Sequence, residues 1–262
     1  MRPLLLLLTI AIIPHFARAA AGGLPFDPSS FEDPSSLIGS SLVNSLVKTV
    51  GFALDHRPYE GATPLGTFVG LDMGIEITLA KLPSDLATEL AKANPSGGTP
   101  TLPPFLPVPR LHLHKGIGQH VSIGLSGILY KGFVLYGGDL KITLYNPSEG
   151  ITLATRMSYS VSKIGFVSTK TYTPQLLISR RVSFADPYIG VGYQYATGGI
   201  SFPLEVQGIS LGTLSASGSA RGFIAFMGTQ FRVAVTGLEL TLEGSYSSVG
   251  VNTFGTKFGF SF

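Results

Sequence analysis

The chain contains no cysteine and no tryptophan. The lack of cysteine excludes disulfide bonds, thiolate metal sites and lipid attachment at an N-terminal cysteine. Beyond the first 21 residues the chain also lacks any run of the ~18 apolar residues that a membrane helix needs. A fold stapled by disulfides and a helical membrane protein are therefore both excluded.

An excess of charge of one sign is missing as well. The 18 basic residues include Arg2 and Arg18, and without these two, 16 basic residues face 15 acidic ones. Neither a basic patch nor a basic helix stands out along the chain. We therefore expect no nucleic acid among the partners.

The first 21 residues have the layout of a secretory signal peptide. Arg2 precedes an apolar stretch over residues 4–13, and small residues follow it. The stretch is too short to span a bilayer, and cleavage after Ala19 and cleavage after Ala21 both fit. An exported, cysteine-free chain with 33 glycines is either a secreted β protein or an outer-membrane barrel.

Residues 22–60 form a linker followed by an amphipathic helix. The linker, 22–34, is rich in Pro, Gly and Ser, and from Ser35 to about Leu54 apolar residues recur every four positions. Two placements of the helix remain open. It packs on or under a β domain, or it enters a barrel lumen as a mobile plug.

From Thr67 onward apolar and polar residues alternate, as in a strand with one apolar face. Ten segments show this pattern, within a range of 8–12 because 108–115 is short and contains Pro109. Most approach or exceed the roughly 9–11 residues that cross a membrane in a β-barrel. The segments are 66–80, 108–115, 119–130, 133–146, 150–162, 165–181, 187–198, 220–234, 238–247 and 251–262.

The connections between these segments fall into two sets. One set is short throughout: 116–118, 147–149, 182–186 and 235–237. The other set holds the two long connections, 81–107 and 199–219, with the tight 131–132, 163–164 and 248–250. Membrane barrels keep short turns in the periplasm and send longer loops outward. The pattern predicts an all-β fold: a transmembrane antiparallel up-and-down barrel over 65–262, with both ends in the periplasm.

A soluble β-sandwich alternates too, but its edge strands need polar faces, whereas a closed barrel has no edges. Here the last strand is among the most apolar. The ending TFGTKFGFSF resembles the C-terminal signature of bacterial outer-membrane β-barrels through Gly255, Phe258, Phe260 and Phe262, although the spacing matches best two residues before the end. That resemblance implies that the barrel-assembly machinery reads the strand, which then closes against 66–80.

The chain also resembles a group of small uncharacterised barrels with a helix before the first strand. The resemblance lies in PLGTFVGLDMGIEITLAKL, VPRLHLHKGIG, LYGGDLKITL and PYIGVGYQY, and it implies architecture without chemistry. Partners expected on this basis are outer-membrane lipid, the assembly machinery and periplasmic chaperones in transit. Aromatic girdles at the interfaces are expected from Tyr136, Tyr145, Tyr159, Tyr193 and Tyr246.

The face opposite the apolar one carries charges of both signs. We expect Arg232 near Glu239, Lys257 near Thr241, and Asp72 near Arg110 if the first hairpin has a simple register. Paired charges indicate a satisfied polar core, with a narrow solute path as the alternative. The predicted lumen network is Asp72, Glu76, Arg110, His112, His114, Asp139, Lys141, Arg156, Arg232, Glu239, Glu243 and Lys257.

His112 and His114 share one strand face, as a metal site or acid–base pair requires. A third metal ligand would have to be Asp72 or Glu76, and no set of nucleophile, base and orienting group is visible. We expect no metal, cofactor or catalytic residue.

The predicted function is a structural or surface barrel, or a narrow porin-like pore, in the outer membrane of a Gram-negative type of envelope. The alternatives are a barrel hydrolase or transferase acting on lipid or peptide, and a hydrophobic-solute transporter with an N-terminal plug.

Overall fold

The computed structural model describes residues 40–65, 70–92, 102–130, 133–148, 150–206, 209–233 and 235–262. The predicted signal peptide and the linker at 22–34 lie outside these residues. Over the described residues the chain forms two helices and ten strands. No helix among them is both long enough and apolar enough to cross a bilayer.

The strands follow the predicted segments closely, and the predicted fold and strand number are confirmed. Each strand pairs antiparallel with its neighbours in sequence, and the first pairs with the last to close the barrel. The elements are α1 (Ser40–Ala53), β1 (Leu71–Lys81), α2 (Ser84–Lys92), β2 (Phe105–Ile117), β3 (Val121–Tyr130), β4 (Phe133–Tyr145), β5 (Thr152–Ile164), β6 (Val167–Ser179), β7 (Ala185–Val206), β8 (Ile209–Val233), β9 (Leu238–Ser247) and β10 (Thr253–Ser261).

The C-terminal strand closes the barrel against β1, as the sequence predicts. Asp72 lies opposite Ser261, and Ala80 lies opposite Thr253. We call the end of the barrel where β1 begins and β10 finishes the inner end, and the opposite end the outer end. Phe258 and Phe260 face outward from this closed wall, so the apolar strand is paired along both edges.

One predicted connection is wrong. The segment 199–219 is not a loop, because β7 runs to Val206 and β8 begins at Ile209. The two strands pair far past the outer end of β6, with Ser201 opposite Ser215, and so satisfy each other's backbone groups without a third strand. The other long connection, 81–107, contains α2, which has an acid in its first turn and a lysine in its last.

The exterior of the barrel is apolar, which suits lipid better than water. Large apolar side chains such as Leu111 and Met227 expose 61% and 67% of their surface. Tyr159 and Tyr172 lie opposite each other with ring centroids 4.7 Å apart, and Tyr195 continues the row on β7. This row forms an aromatic band towards the outer end. Of the predicted girdle residues, Tyr136, Tyr145 and Tyr246 are exposed, and Tyr159 and Tyr193 are half-buried.

The interior has two halves. In the outer half, apolar side chains of the strands surround α1 and form one cluster with it, including Val47, Phe52, Val167 and Ile200. In the inner half, polar and charged side chains surround an irregular segment, residues 54–65. Of the two placements open for the N-terminal helix, the structure therefore has the one inside the lumen. We call residues 40–65 the plug and the ten strands the wall.

Candidate functional site: the plugged lumen

The plug passes along the lumen from the outer half to the inner end. α1 packs against β6, β7 and β8, and after Ala53 the chain is irregular, with a turn and a bend at 54–55 and a positive φ at Tyr59. Every residue from 49 to 62 is buried. Because the plug contacts strands on opposite sides of the barrel, it is enclosed by the wall and does not lie against one face of it.

Asp55 fixes the middle of the plug to three strands. Its Oδ1 accepts a hydrogen bond from Ser160 Oγ at 3.2 Å. Its Oδ2 accepts from Thr173 Oγ1 and from Gln194 Nε2, both at 2.7 Å. A buried carboxylate is tolerated only when its oxygens are paired in this way.

His56 and Glu60 connect the plug to the opposite side of the wall. His56 Nδ1 lies 2.7 Å from Ser126 Oγ, and His56 Nε2 lies 2.7 Å from Asp139 Oδ1. Glu60 pairs with the ammonium of Lys141 and lies 3.0 Å from His114 Nδ1. These pairs join ionisable groups of the plug to ionisable groups of the wall.

Burial and neighbouring charges shift the pKa values of these plug residues. It lowers the pKa of His56, because loss of hydration of the imidazolium outweighs the attraction of the Asp139 carboxylate. Burial alone would raise the pKa of Glu60. The positive charges of Lys141 and His114 outweigh that effect, so this pKa lies below its usual range. Glu60 is therefore an anion whose counter-charges come from the wall.

The backbone of the inner part of the plug is also bound by the wall. Lys141 Nζ donates to the carbonyl oxygens of Gly61 and Thr63 at 3.0 and 2.9 Å. Thr143 Oγ1 donates to the carbonyl oxygen of Ala62 at 3.0 Å. This part of the plug lies outside the helices and strands, so these contacts satisfy carbonyl groups that burial would otherwise leave unpaired.

Glycines in the wall make room for plug side chains. A Cβ built at Gly255 would lie 1.8 Å from Tyr59 Oη, and one at Gly137 would lie 2.9 Å from His56 Cβ. At Gly218 a Cβ would lie 2.5 Å from Asn44 Oδ1. The inner surface of the barrel is therefore shaped for this occupant. Gly255 was predicted as part of the C-terminal assembly signal, which stays a prediction; the structure places it under Tyr59.

Replacement of Gly255 with alanine tests this fit. We expect Gly255→Ala to lower the free energy of unfolding by about 1–3 kcal/mol, because the new methyl group overlaps the Tyr59 ring. Urea titration of the folded barrel in lipid vesicles measures the loss. Gly244→Ala is the matched control, since a Cβ there meets no atom within 4 Å. If Tyr59→Ala does not reduce the cost of Gly255→Ala, the contact is not its cause.

Eleven of the twelve predicted lumen residues are buried inside the barrel, and the twelfth, Arg232, is half-buried with its side chain 30% exposed. Two of the expected pairings are confirmed: Arg232 Nη2 lies 3.2 Å from Glu239, and Lys257 lies opposite Thr241. Lys257 Nζ also lies 2.6 Å from Asp72 and 2.9 Å from Glu239.

The pairing of Asp72 with Arg110 is wrong. β2 begins at Phe105 rather than at 108, and its pairing with β1 places His114 opposite Asp72 and Arg110 opposite Glu76. Arg110 Nε lies 3.3 Å from the Glu76 carboxylate. The long connection between the strands leaves their register unconstrained, so a simple hairpin count does not determine it.

His112 and His114 do share the inward face, with ring centroids 4.2 Å apart. His112 Nδ1 lies 3.2 Å from Glu76, one of the two acids predicted beside the pair. Strand periodicity does not identify His56 and Glu60. From the plug, Glu60 contacts His114 and His56 contacts Asp139. The signal that could have identified them is DHRPYE at 55–60, a dense polar stretch directly after an apolar helix.

No family model matches the chain, and no curated protein matches it. Among solved structures, the chain is similar to Neisserial surface protein A, with 9% identity over 73% of this chain and 97% of that one and a TM-score of 0.31. It is also similar to Ail, the attachment invasion locus protein of Yersinia pestis in complex with the heparin analogue sucrose octasulfate. There the identity is 12%, over 72% of this chain and 93% of that one, and the TM-score is 0.28. Similarity at this level does not indicate a function for this chain.

Proposed function

We propose that this protein is an integral outer-membrane barrel closed by its own plug, and that it serves as a structural or surface barrel and not as an open pore. The observation that carries the proposal is the complete burial of residues 49–62 inside the lumen. A solute path needs a continuous aqueous channel, and here the plug occupies its place.

The proposal includes export by the N-terminal signal peptide and insertion through the C-terminal strand. Phe258 and Phe260 face outward on β10, where they are available to lipid. Outer-membrane lipid is then the partner of the apolar exterior, and the assembly machinery and periplasmic chaperones act before insertion. The two lysines of β5 and β6, Lys163 and Lys170, lie towards the outer end beyond the tyrosine row, where lipid headgroups would meet them.

We also propose that the barrel is not an enzyme. His112, His114 and Asp139 are 4%, 1% and 7% exposed, so a substrate has no approach to them while the plug is in place. One cavity of about 740 Å³ lies on the apolar surface around Leu176 and Met227, and another of about 580 Å³ lies at the inner rim around Phe184. Neither cavity is lined by the two histidines or by Asp139. The apolar outer half of the lumen is filled by α1, which disfavours transport of a hydrophobic solute.

Single-channel recording on the refolded mature protein tests the proposal. We expect no steady current from the full mature chain, because the lumen is filled. Deletion of residues 22–60 removes most of the plug and provides the comparison, for which we expect steady current. Steady current from the full mature chain would contradict the proposal.

A gated pore is the second candidate. The observation in its favour is that the plug is one continuous segment outside the closed strand order, so it can leave without breaking strand pairing. Thr63 and Ser179 have hydroxyl oxygens 3.0 Å apart, and a Thr63→Cys/Ser179→Cys disulfide would hold the plug in place. Voltage-induced bursts in the reduced protein that vanish on oxidation would favour a gated pore. Silence in both states would favour the structural barrel.

A further inference from the structure

Three side chains from separate parts of the chain meet in the inner half of the lumen. His56 belongs to the plug, His114 to β2 and Asp139 to β4. Both His56 Nε2 and His114 Nε2 lie 2.7 Å from Asp139 Oδ1. The three ligand atoms all lie within 4.8 Å of one another, and all three residues are buried.

The remaining nitrogen of each of these histidines has a partner of its own. His56 Nδ1 lies 2.7 Å from Ser126 Oγ, and His114 Nδ1 lies 3.0 Å from the Glu60 carboxylate. Metal-binding histidines characteristically have such a second contact, which fixes the ring orientation and directs the other nitrogen to the ion. The two imidazoles are therefore oriented as metal ligands are.

A glycine in the wall leaves room for the side chains of the two wall ligands to meet. Gly124 lies on β3 between them, and a Cβ built there would lie 1.7 Å from His114 Nε2 and 2.2 Å from Asp139 Oδ1. Any other residue at this position would separate the ligand atoms. A fourth nitrogen is also close, since His112 Nε2 lies 3.2 Å from the ring nitrogens of His114.

We propose that His56, His114 and Asp139 bind a divalent transition metal of the zinc class, and that the ion joins the plug to the wall. Two imidazoles and one carboxylate form a donor set that suits zinc, and His112 Nε2 or a water molecule completes a tetrahedron. Ligand atoms ~2.0–2.2 Å from zinc are about 3.3 Å apart in that geometry. The 2.7 Å contacts to Asp139 open by about half an ångström to admit the ion.

This proposal replaces the expectation that the histidine pair binds no metal. It rests on the plug being in the lumen and not on whether the lumen conducts, so a gated pore and a closed barrel are equally compatible with it. Its consequence is that metal binding stabilises the plugged state, because one ligand belongs to the plug and two to the wall.

The test is a titration of untagged, refolded mature protein with Zn²⁺ and with Co²⁺, after EDTA treatment and also with metal present during refolding. We expect one ion per chain and a Co²⁺ absorption spectrum of tetrahedral type. We also expect a higher thermal midpoint in the metal-bound protein. His56→Gln and His114→Gln should each weaken binding by about 100-fold or more, as loss of a direct ligand exceeds the 10–100-fold effect of a supporting contact.

His120→Gln is the matched control, because His120 is exposed in the turn before β3, and we expect its affinity to equal that of the parent chain. Folding of each variant is monitored by its heat-modifiable mobility on gels. If the folded parent chain does not bind one metal ion per chain, the proposal is overturned. This result does not depend on whether the variants fold. Binding that persists in folded His56→Gln would overturn the link between plug and wall.

Discussion

Replacement of Lys257 with methionine is expected to lower the free energy of unfolding by about 3–5 kcal/mol. Lys257 Nζ donates to Asp72 at 2.6 Å and pairs with Glu239 at 2.9 Å, and all three side chains are fully buried. Methionine keeps most of the volume but removes the ammonium that pairs with the buried Asp72 carboxylate, and it leaves Glu239 paired with Arg232 alone. Urea titration in lipid vesicles measures the loss.

Lys92→Met is the control for Lys257→Met. Lys92 pairs with Glu89 at 2.7 Å, but its side chain is 66% exposed, so we expect a change below about 1 kcal/mol. Addition of Asp72→Asn to Lys257→Met should restore part of the lost stability, because the buried carboxylate charge that lost its ammonium partner is then gone. A loss as small in Lys257→Met as in Lys92→Met would show that the lumen does not bury this ion pair.

The second large effect is expected at Asp55, where we predict that Asp55→Ala lowers the free energy of unfolding by about 3 kcal/mol. The substitution leaves three buried donors, on Ser160, Thr173 and Gln194, without their acceptor. The same urea titration measures the change.

Asp85→Ala gives the comparison for Asp55→Ala, because Asp85 pairs with Lys48 at the outer end and its side chain is 53% exposed. We expect a change below about 1 kcal/mol. Equal effects of the two substitutions would mean that the Asp55 contacts with three strands add nothing to stability.

The barrel was predictable because successive residues of each strand face alternately outward and into the lumen, and these two environments select different side chains. Met73 faces lipid and Asp72 faces the lumen, and a strand must repeat that choice at every second position. The same rule identified the inward residues of β4 and β10, whereas the closure between the first and last strands was predicted from the resemblance of the C-terminal strand to the outer-membrane signature. Periodicity determines which face a side chain lies on, and in a closed barrel this determines most of the fold.

Periodicity does not determine register, and it does not indicate what fills the lumen. Arg110 faces inward as predicted, but its partner is Glu76 because the β1–β2 pairing is set across a long connection. Apolar and polar residues still alternate over 200–206, so the strand pattern continues past the predicted end of the segment. The extended parts of β7 and β8 are stabilised by each other. The contact of His56 with Asp139 joins residues far apart in sequence through the threading of the plug, which no local pattern records.

The wall and the plug are chemically complementary, and this accounts for charges that the wall alone leaves unexplained. Lys141 has its buried carboxylate partner, Glu60, in the plug and not on an adjacent strand. Asp139 pairs with His56 of the plug in addition to His114 of the wall. Part of the counter-charge in this barrel interior thus comes from a segment that precedes the first strand.

The central claim is that residues 40–65 lie inside the barrel, and disulfide formation in Thr63→Cys/Ser179→Cys tests it most directly. The natural chain has no cysteine, and the two hydroxyl oxygens are 3.0 Å apart. The matched control is Thr63→Cys/Thr169→Cys, because Thr169 faces the lumen from the same strand about 33 Å nearer the outer end. We predict that mild oxidation of the folded barrel links the first pair nearly completely and the control pair not at all. Two free thiols in the folded first pair would contradict the plugged lumen.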